Sequence, residues 1–145
     1  MTIRLHDLLP SLQVAIGPVI LVSGVGLLLL SMTNRLGRII DRARELGIEL
    51  RAGEAAERER ILAQLDILTT RARLVRQAIA LAIVSLLSAA VLVITLFLAA
   101  VFVLEAGALV VALFVGCMAS LIGALVAFLR DINLSLAALR LELNR

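Results

Sequence analysis

The chain has 145 residues, of which 62% are hydrophobic and 3% aromatic, and its formal net charge is +3. This composition excludes an ordinary soluble domain, in which about half the residues are apolar. It also excludes an intrinsically disordered chain, which needs low hydrophobicity and a high net charge. The length is typical of one compact unit, so we expect a single membrane domain over residues 1–145.

Three uncharged stretches divide the sequence, over residues 8–34, 77–104 and 106–129. Each is longer than the ~20 residues that an α-helix needs to cross a hydrocarbon core of about 30 Å. The pattern predicts an all-α membrane protein with three transmembrane helices, at about residues 12–34, 78–104 and 106–129.

The arginines are distributed unevenly among the segments that flank these spans. Ten of them lie in residues 35–77, between the first two spans, and three follow the last span. Only Arg4 precedes the first span, and the turn around Glu105 has no basic residue. Because short Arg-rich segments stay in the cytoplasm, we expect a multi-pass membrane protein with a fixed orientation. Its N-terminus and Glu105 would be outside the cell and its C-terminus inside.

The first span carries small or polar residues at seven-residue steps, and Arg38 continues the same line. Seven residues are nearly two helical turns, so these positions share one face. Such a face either packs against another helix or lines water. In a homo-oligomer it could line an ion channel, with charged residues around the inner mouth. The pore-lining candidates are Gly17, Gly24, Ser31, Asn34, Arg38 and Asp41.

The charged segments that follow the spans have apolar residues at three- and four-residue steps, a pattern that predicts amphipathic helices. We expect each span to continue into the cytoplasm as a helix, with Gly53 as the point of reversal in a helical hairpin over residues 35–77. A further cytoplasmic helix would cover residues 130–145. The apolar positions are Leu36, Ile39, Ala43, Leu46 and Leu50, then Ile61, Leu65, Leu68, Ala72, Val75 and Ile79, and finally Leu129, Ile132, Leu136, Leu139 and Leu143.

These extensions must bury their apolar faces, and we expect them to pack together as a bundle of the coiled-coil type. The alternative is that they lie flat on the membrane as basic amphipathic helices. In either arrangement, the arginines nearest the spans are expected to meet anionic lipid headgroups. These arginines are Arg35, Arg38, Arg73, Arg76 and Arg130.

The segment from Ser31 to Arg44 has the most distinctive sequence, S-M-T-N-R-L-G-R-I-I-D-R-A-R. It resembles the signature of an uncharacterised family of small bacterial three-span membrane proteins. Gly17-Pro18-Val19-Ile20, Ser23-Gly24-Val25-Gly26 and Arg130-Asp131-Ile132 belong to the same likeness, which covers nearly the whole chain. The resemblance implies the three-span topology and a location in the bacterial inner membrane, and it carries no established activity.

The third span has a small residue at every fourth position, which predicts close packing against another helix. These helix-packing candidates are Ala108, Ala112, Gly116, Ser120 and Ala124. The second span is bulkier and is expected to face lipid. Its Ser85, Ser88 and Thr95 are expected to bond back to carbonyl groups of their own helix. Cys117 is the only cysteine and is expected to pack as a small buried side chain.

Charged residues cluster where the spans end on the cytoplasmic side. Asp131 is the only acid at that level of the third span. We therefore predict that it forms a salt bridge with Arg35 or Arg76 and connects the three helices.

No catalytic signature occurs in the sequence, and we expect neither an enzyme nor a cofactor. No ionisable group lies at the centre of a span, which argues against a proton-coupled transporter. His6 has too few neighbouring ligands for a metal site. Two hypotheses remain. The first is a homo-oligomeric ion channel lined by the first span. The second is a non-conducting scaffold or regulatory module whose hairpin docks a cytoplasmic protein; nucleic acid is not an expected partner.

Overall fold

The structure, a computed structural model, describes residues 5–52, 55–102 and 105–143, and the side chains of residues 13, 16–51, 57–102 and 105–136. The described chain forms three long helices: α1, Leu5–Ala52; α2, Ala55–Phe102; and α3, Gly107–Leu143. The predicted all-helical fold is confirmed.

Each helix is long and apolar enough to cross a membrane, over Ile16–Arg51, Glu57–Phe102 and Gly107–Leu136. This agrees with the three spans predicted from the uncharged stretches and indicates a multi-pass membrane protein. Within the most apolar part of each helix, no more than 22% of the residues are buried inside the chain. Most of this apolar surface must therefore be covered by lipid or by other chains.

Helix α1 runs without interruption through Pro18, although proline removes one helical hydrogen bond. It ends at Ala52, and α2 begins at Ala55; Gly53, the predicted point of reversal, lies outside the described residues. At the start of α3, the backbone N–H of Val110 donates to the carbonyl of Ala106 at 3.0 Å.

The chain divides into two compact units. The first unit comprises Met1–Leu29 and Leu81–Gly123, and the second comprises Leu30–Ala80 and Ala124–Arg145. Every helix contributes a segment to each unit. The expected single domain over residues 1–145 stays a prediction.

In the first unit, α2 and α3 pack through small side chains. Ser85 and Cys117 are both buried and their Oγ and Sγ atoms lie 3.4 Å apart. Gly123 faces Leu81, since a Cβ built at Gly123 would lie 3.2 Å from a methyl carbon of that leucine. Residue numbers rise on α3 as they fall on α2, so the two segments are antiparallel.

In the second unit, the core joins residues of all three helices. Met32 and Ile39 of α1 are buried together with Val75 and Ala78 of α2. The half-buried residues packed against them are Leu36, Leu68, Ala72, Ile79, Ala127 and Phe128. The predicted apolar positions of the charged segments thus supply much of this core.

Buried residues recur at seven-residue steps along each helix, which is the spacing of coiled-coil packing. The repeat is most regular in α1. In α2 the buried residues form two series, each with a seven-residue spacing. The buried positions are Val25, Met32, Ile39 and Leu46 in α1; Ile61, Val75, Ala82 and Ala89, with Ala78, Ser85 and Leu92, in α2; and Cys117, Ala124 and Asp131 in α3.

Candidate functional site: the Asp131 cluster and the exposed face of α1

Asp131 is the one charged side chain in this buried repeat, and its side chain is 0% exposed. It falls seven residues after Ala124 and fourteen after Cys117, so the helical period directs it into the core of the second unit. A buried carboxylate is strongly destabilising unless cationic groups compensate it.

Two arginines from the other helices supply this compensation. Arg35 of α1 places its Nε atom 2.6 Å from Oδ2 of Asp131. Arg71 of α2 donates from Nε to Oδ1 at 3.2 Å. The Arg35 contact is an ion pair without the alignment of a hydrogen bond. Together these contacts connect the three helices through one carboxylate.

The arginines of this cluster are themselves mostly covered. The Arg35 side chain is 24% exposed and the Arg71 side chain 18% exposed. The guanidinium carbon of Arg35 lies 5.7 Å from the centre of the Phe128 ring, which permits a cation–π interaction. Arg35 is thus held between an aromatic ring and a carboxylate.

Arg76, the other predicted partner of Asp131, is exposed, and Arg71 supplies the α2 contact in its place. The physical reason is helical phase. Arg71 lies seven residues before Ala78 and fourteen before Ser85, both buried. Arg76 is five residues further along and therefore lies about 140° away around the helix.

A cavity of about 300 Å³ opens beside this cluster. Arg35, Arg38 and Arg42 of α1 and Arg71 of α2 contribute to its lining, together with Ser135 of α3 and the apolar residues Ile39 and Leu68. Arg42 also pairs with Glu45 at 3.0 Å in an exposed (i, i+3) contact. The arginines are therefore concentrated on one wall of the second unit.

The predicted pore-lining residues are all exposed in the single chain: Gly17, Gly24, Ser31, Asn34, Arg38 and Asp41. The line of Gly24, Ser31 and Arg38 precedes the buried line of Val25, Met32 and Ile39 by one residue, or about 100°. The small face of α1 therefore lies beside the intrachain core. Among the described residues, a Cβ added at Gly17 or Gly24 would meet no other helix within 4 Å.

The small residues of α3 differ in their surroundings. Ala108, Ala112 and Gly116 are exposed, Ser120 is half-buried and Ala124 is buried. A four-residue step advances about 40° beyond a full turn, so the row gradually winds around the helix. Only its end reaches the core.

The polar groups of α2 behave in two ways. Thr95 donates its hydroxyl to the Val91 carbonyl at 2.8 Å, as expected of a back-bonded threonine. Ser85 instead contacts Cys117, whose Sγ also lies 3.3 Å from the Ser85 carbonyl. Cys117 is buried, in agreement with the expected packing role.

Over the part of the chain that the structure describes, no three His, Cys, Asp or Glu side chains form a group that could hold a metal ion. The arrangement of charges in the second unit is instead suited to anions, because the cavity wall carries four arginines.

Fold and composition place the chain among multi-pass membrane proteins with three long apolar helices. It belongs to the family described as "Protein of unknown function (DUF2721)", which matches residues 15–141. No curated protein and no solved structure matches the chain. The description of this family assigns it no activity.

Proposed function

We propose that the protein is a homo-oligomeric ion channel in which α1 lines the conducting path. The observation that carries this proposal is the exposed line of small and polar residues on α1. Gly17 and Gly24 occupy it in the first unit, and Ser31 and Arg38 occupy it in the second. Within the described residues, a Cβ added at either glycine would meet no other helix within 4 Å, although Gly17 borders a cavity of about 180 Å³ that residues of α2 and α3 also line.

A line of this kind is poorly suited to lipid. Glycine and serine offer little apolar area to acyl chains, whereas they permit close approach of another helix or contact with water. Three helices of one chain cannot enclose a hydrated path, so several copies would have to surround a common axis. Asn34, Arg38 and Asp41 then lie at one mouth of that path, where rings of charge select ions.

In the proposed orientation, the spans lie in a bacterial inner membrane. The charged helical hairpin and the C-terminal helix extend into the cytoplasm. The arginine distribution supports it. In intact cells, an impermeant maleimide should label a cysteine introduced by Glu105→Cys and leave one introduced by Arg58→Cys unlabelled. The reverse pattern would invert the topology.

Ion flux into liposomes containing the purified protein tests conduction. Gly24→Leu should abolish flux, because a bulky apolar side chain closes a narrow path by dewetting. The matched control is Gly26→Leu. Gly26 is also exposed, and a Cβ there also meets nothing within 4 Å, yet it lies about 200° around the helix from Gly24.

Charge at the mouth has a separate test. Arg38→Glu should shift the preference from anions towards cations, and Arg44→Glu, at an exposed position outside the line, should leave the preference unchanged. Flux that is indifferent to both Gly24→Leu and Arg38→Glu would place the path elsewhere and contradict the assignment of α1.

The second candidate function is a non-conducting scaffold that docks a cytoplasmic protein. Exposed apolar side chains in the segment 35–77 favour this function. Ile40 and Ile48 of α1 and Ile67 of α2 are 47%, 66% and 44% exposed. This function predicts no flux in a confirmed oligomer, and loss of partner binding when these isoleucines are replaced by serine. Neither proposal involves catalysis or a cofactor.

A further inference from the structure

We propose that the cavity lined by Arg35, Arg38, Arg42, Arg71 and Ser135 is a binding site for a phosphate group. This inference does not depend on ion conduction, since it concerns only the second unit and requires no oligomer. All the lining residues belong to Leu30–Ala80 and Ala124–Arg145.

The geometry resembles a small ligand pocket. Its volume of about 300 Å³ lies at the lower end of the range of roughly 300–1,000 Å³ typical of such pockets. Helices α1 and α2 contribute four arginines to the lining, and α3 contributes Ser135. Ile39 and Leu68 supply an apolar part of the wall, so the site combines charge with partial shelter from water.

The charges leave an excess that an anion can satisfy. Asp131 compensates Arg35 and Arg71 jointly, and Glu45 pairs with Arg42. Two carboxylates thus face four arginines, and two positive charges remain. A phosphate monoester carries about −1.5 to −2 at neutral pH, which matches this excess.

The arginines also retain donors for such a ligand. Both contacts to Asp131 are made by Nε atoms, so this carboxylate does not use the terminal nitrogens of Arg35 and Arg71. A guanidinium fork binds phosphate oxygens in a bidentate manner, which a single ammonium group cannot do. The Phe128 ring and the buried carboxylate hold Arg35 in place before any ligand arrives.

The phosphate could belong to a lipid headgroup or to a soluble compound. Arg35 directly follows the first uncharged stretch of the sequence, where a headgroup would be within reach. The cavity is also open to small solutes. The two sources share the same chemistry and require separate arms of one experiment.

Thermal unfolding of the purified protein in detergent provides the readout. Cys117 is the only cysteine and is 1% exposed, so a thiol-reactive fluorescent dye reports unfolding directly. In the first arm, inorganic phosphate is titrated against chloride at constant ionic strength. In the second arm, short-chain phosphatidic acid is compared with a phosphate-free glycolipid.

The variant Arg38→Gln/Arg42→Gln removes two cavity arginines that do not contact Asp131. The contacts of Asp131 with Arg35 and Arg71 are therefore preserved. It should weaken phosphate binding by about tenfold or more, since charge-assisted bonds are lost. The matched control is Arg44→Gln/Arg73→Gln, which removes the same charge at exposed positions outside the cavity. Its affinity should stay within about twofold of wild type.

Stabilisation in the first arm that depends on the cavity arginines supports the site and identifies a soluble phosphate as sufficient. Stabilisation only in the second arm supports the site and identifies a lipid headgroup. No stabilisation in either arm overturns the proposal. An equal loss in both double variants also overturns it, because general surface charge would then explain the effect. Since no flux is measured, failure here leaves the channel proposal unaffected.

Discussion

At the level of single residues, Asp131 is the feature that most constrains the structure. Its carboxylate is fully buried in a chain whose other buried residues are almost all apolar. Arg35 and Arg71 approach it from two different helices. Because the charge is compensated only when all three helices are in register, the cluster favours one packing arrangement over shifted alternatives.

Replacement of Asp131 by alanine should therefore destabilise the protein by about 1–3 kcal/mol, since two half-buried arginines lose their partner. The measurement is thermal unfolding in detergent, followed through the thiol of Cys117. Glu45→Gln is the control, because it breaks an exposed pair that is expected to contribute little. Equal and small shifts in both variants would mean that Asp131 contributes no more than a surface charge.

The sequence alone could bring Asp131 close to Arg35, because both follow directly on the ends of apolar stretches. The position of a residue along the helix axis does not by itself decide whether Arg71 or Arg76 pairs with Asp131. That choice depends on which face of α2 is buried, and only the seven-residue line through Ala78, Ser85 and Leu92 reveals the face. The line is present in the sequence, but Ala78 and Ser85 are too small or too polar to mark it by hydrophobicity.

At the level of helices, the contact of α2 with α3 depends on small side chains. Gly123 lies against Leu81, and Cys117 lies against Ser85. The row at every fourth residue of α3 predicted such contact, but the buried line of this helix advances by seven. Coiled-coil packing of long helices requires the seven-residue period. The row at every fourth residue therefore meets the core at Ala124 and becomes progressively more exposed towards the N-terminal end of α3.

Gly123→Leu should weaken the packing of α2 on α3, because even a Cβ at this position would lie 3.2 Å from Leu81. Overpacking of this kind typically costs about 1–3 kcal/mol. The matched control is Gly116→Leu, seven residues earlier, where an added Cβ meets nothing within 4 Å. Thermal unfolding of the two variants should differ clearly, and a larger loss in Gly116→Leu would refute the assigned interface.

At the level of the whole molecule, the helical class and the three apolar helices could be predicted from the sequence. Uncharged stretches of this length have few alternatives to membrane helices. The Arg-rich cavity could not be predicted, because its wall combines residues from three helices whose relative phase is fixed only by packing. The distribution of charge predicts that Arg35 and Arg38 lie near the membrane surface, but it does not show that they share a cavity with Arg71 and Ser135.

The channel proposal requires that several copies assemble around α1. Large apolar side chains remain exposed on all three helices, so a single chain leaves much surface for lipid or for other copies. In the channel proposal, the exposed small and polar line of α1 faces the common axis of these copies. Assembly is a requirement of the channel and not of the phosphate site, which separates the two proposals.

The most direct test is the mass of the intact protein released from membrane vesicles into a native mass spectrometer. The proposed assembly predicts one discrete species whose mass is a multiple of the 15.5 kDa chain, with three or more copies. Gly24→Leu should leave this mass unchanged, because its expected effect is closure of the path and not loss of assembly. A wild-type protein found only at 15.5 kDa would contradict the proposed assembly.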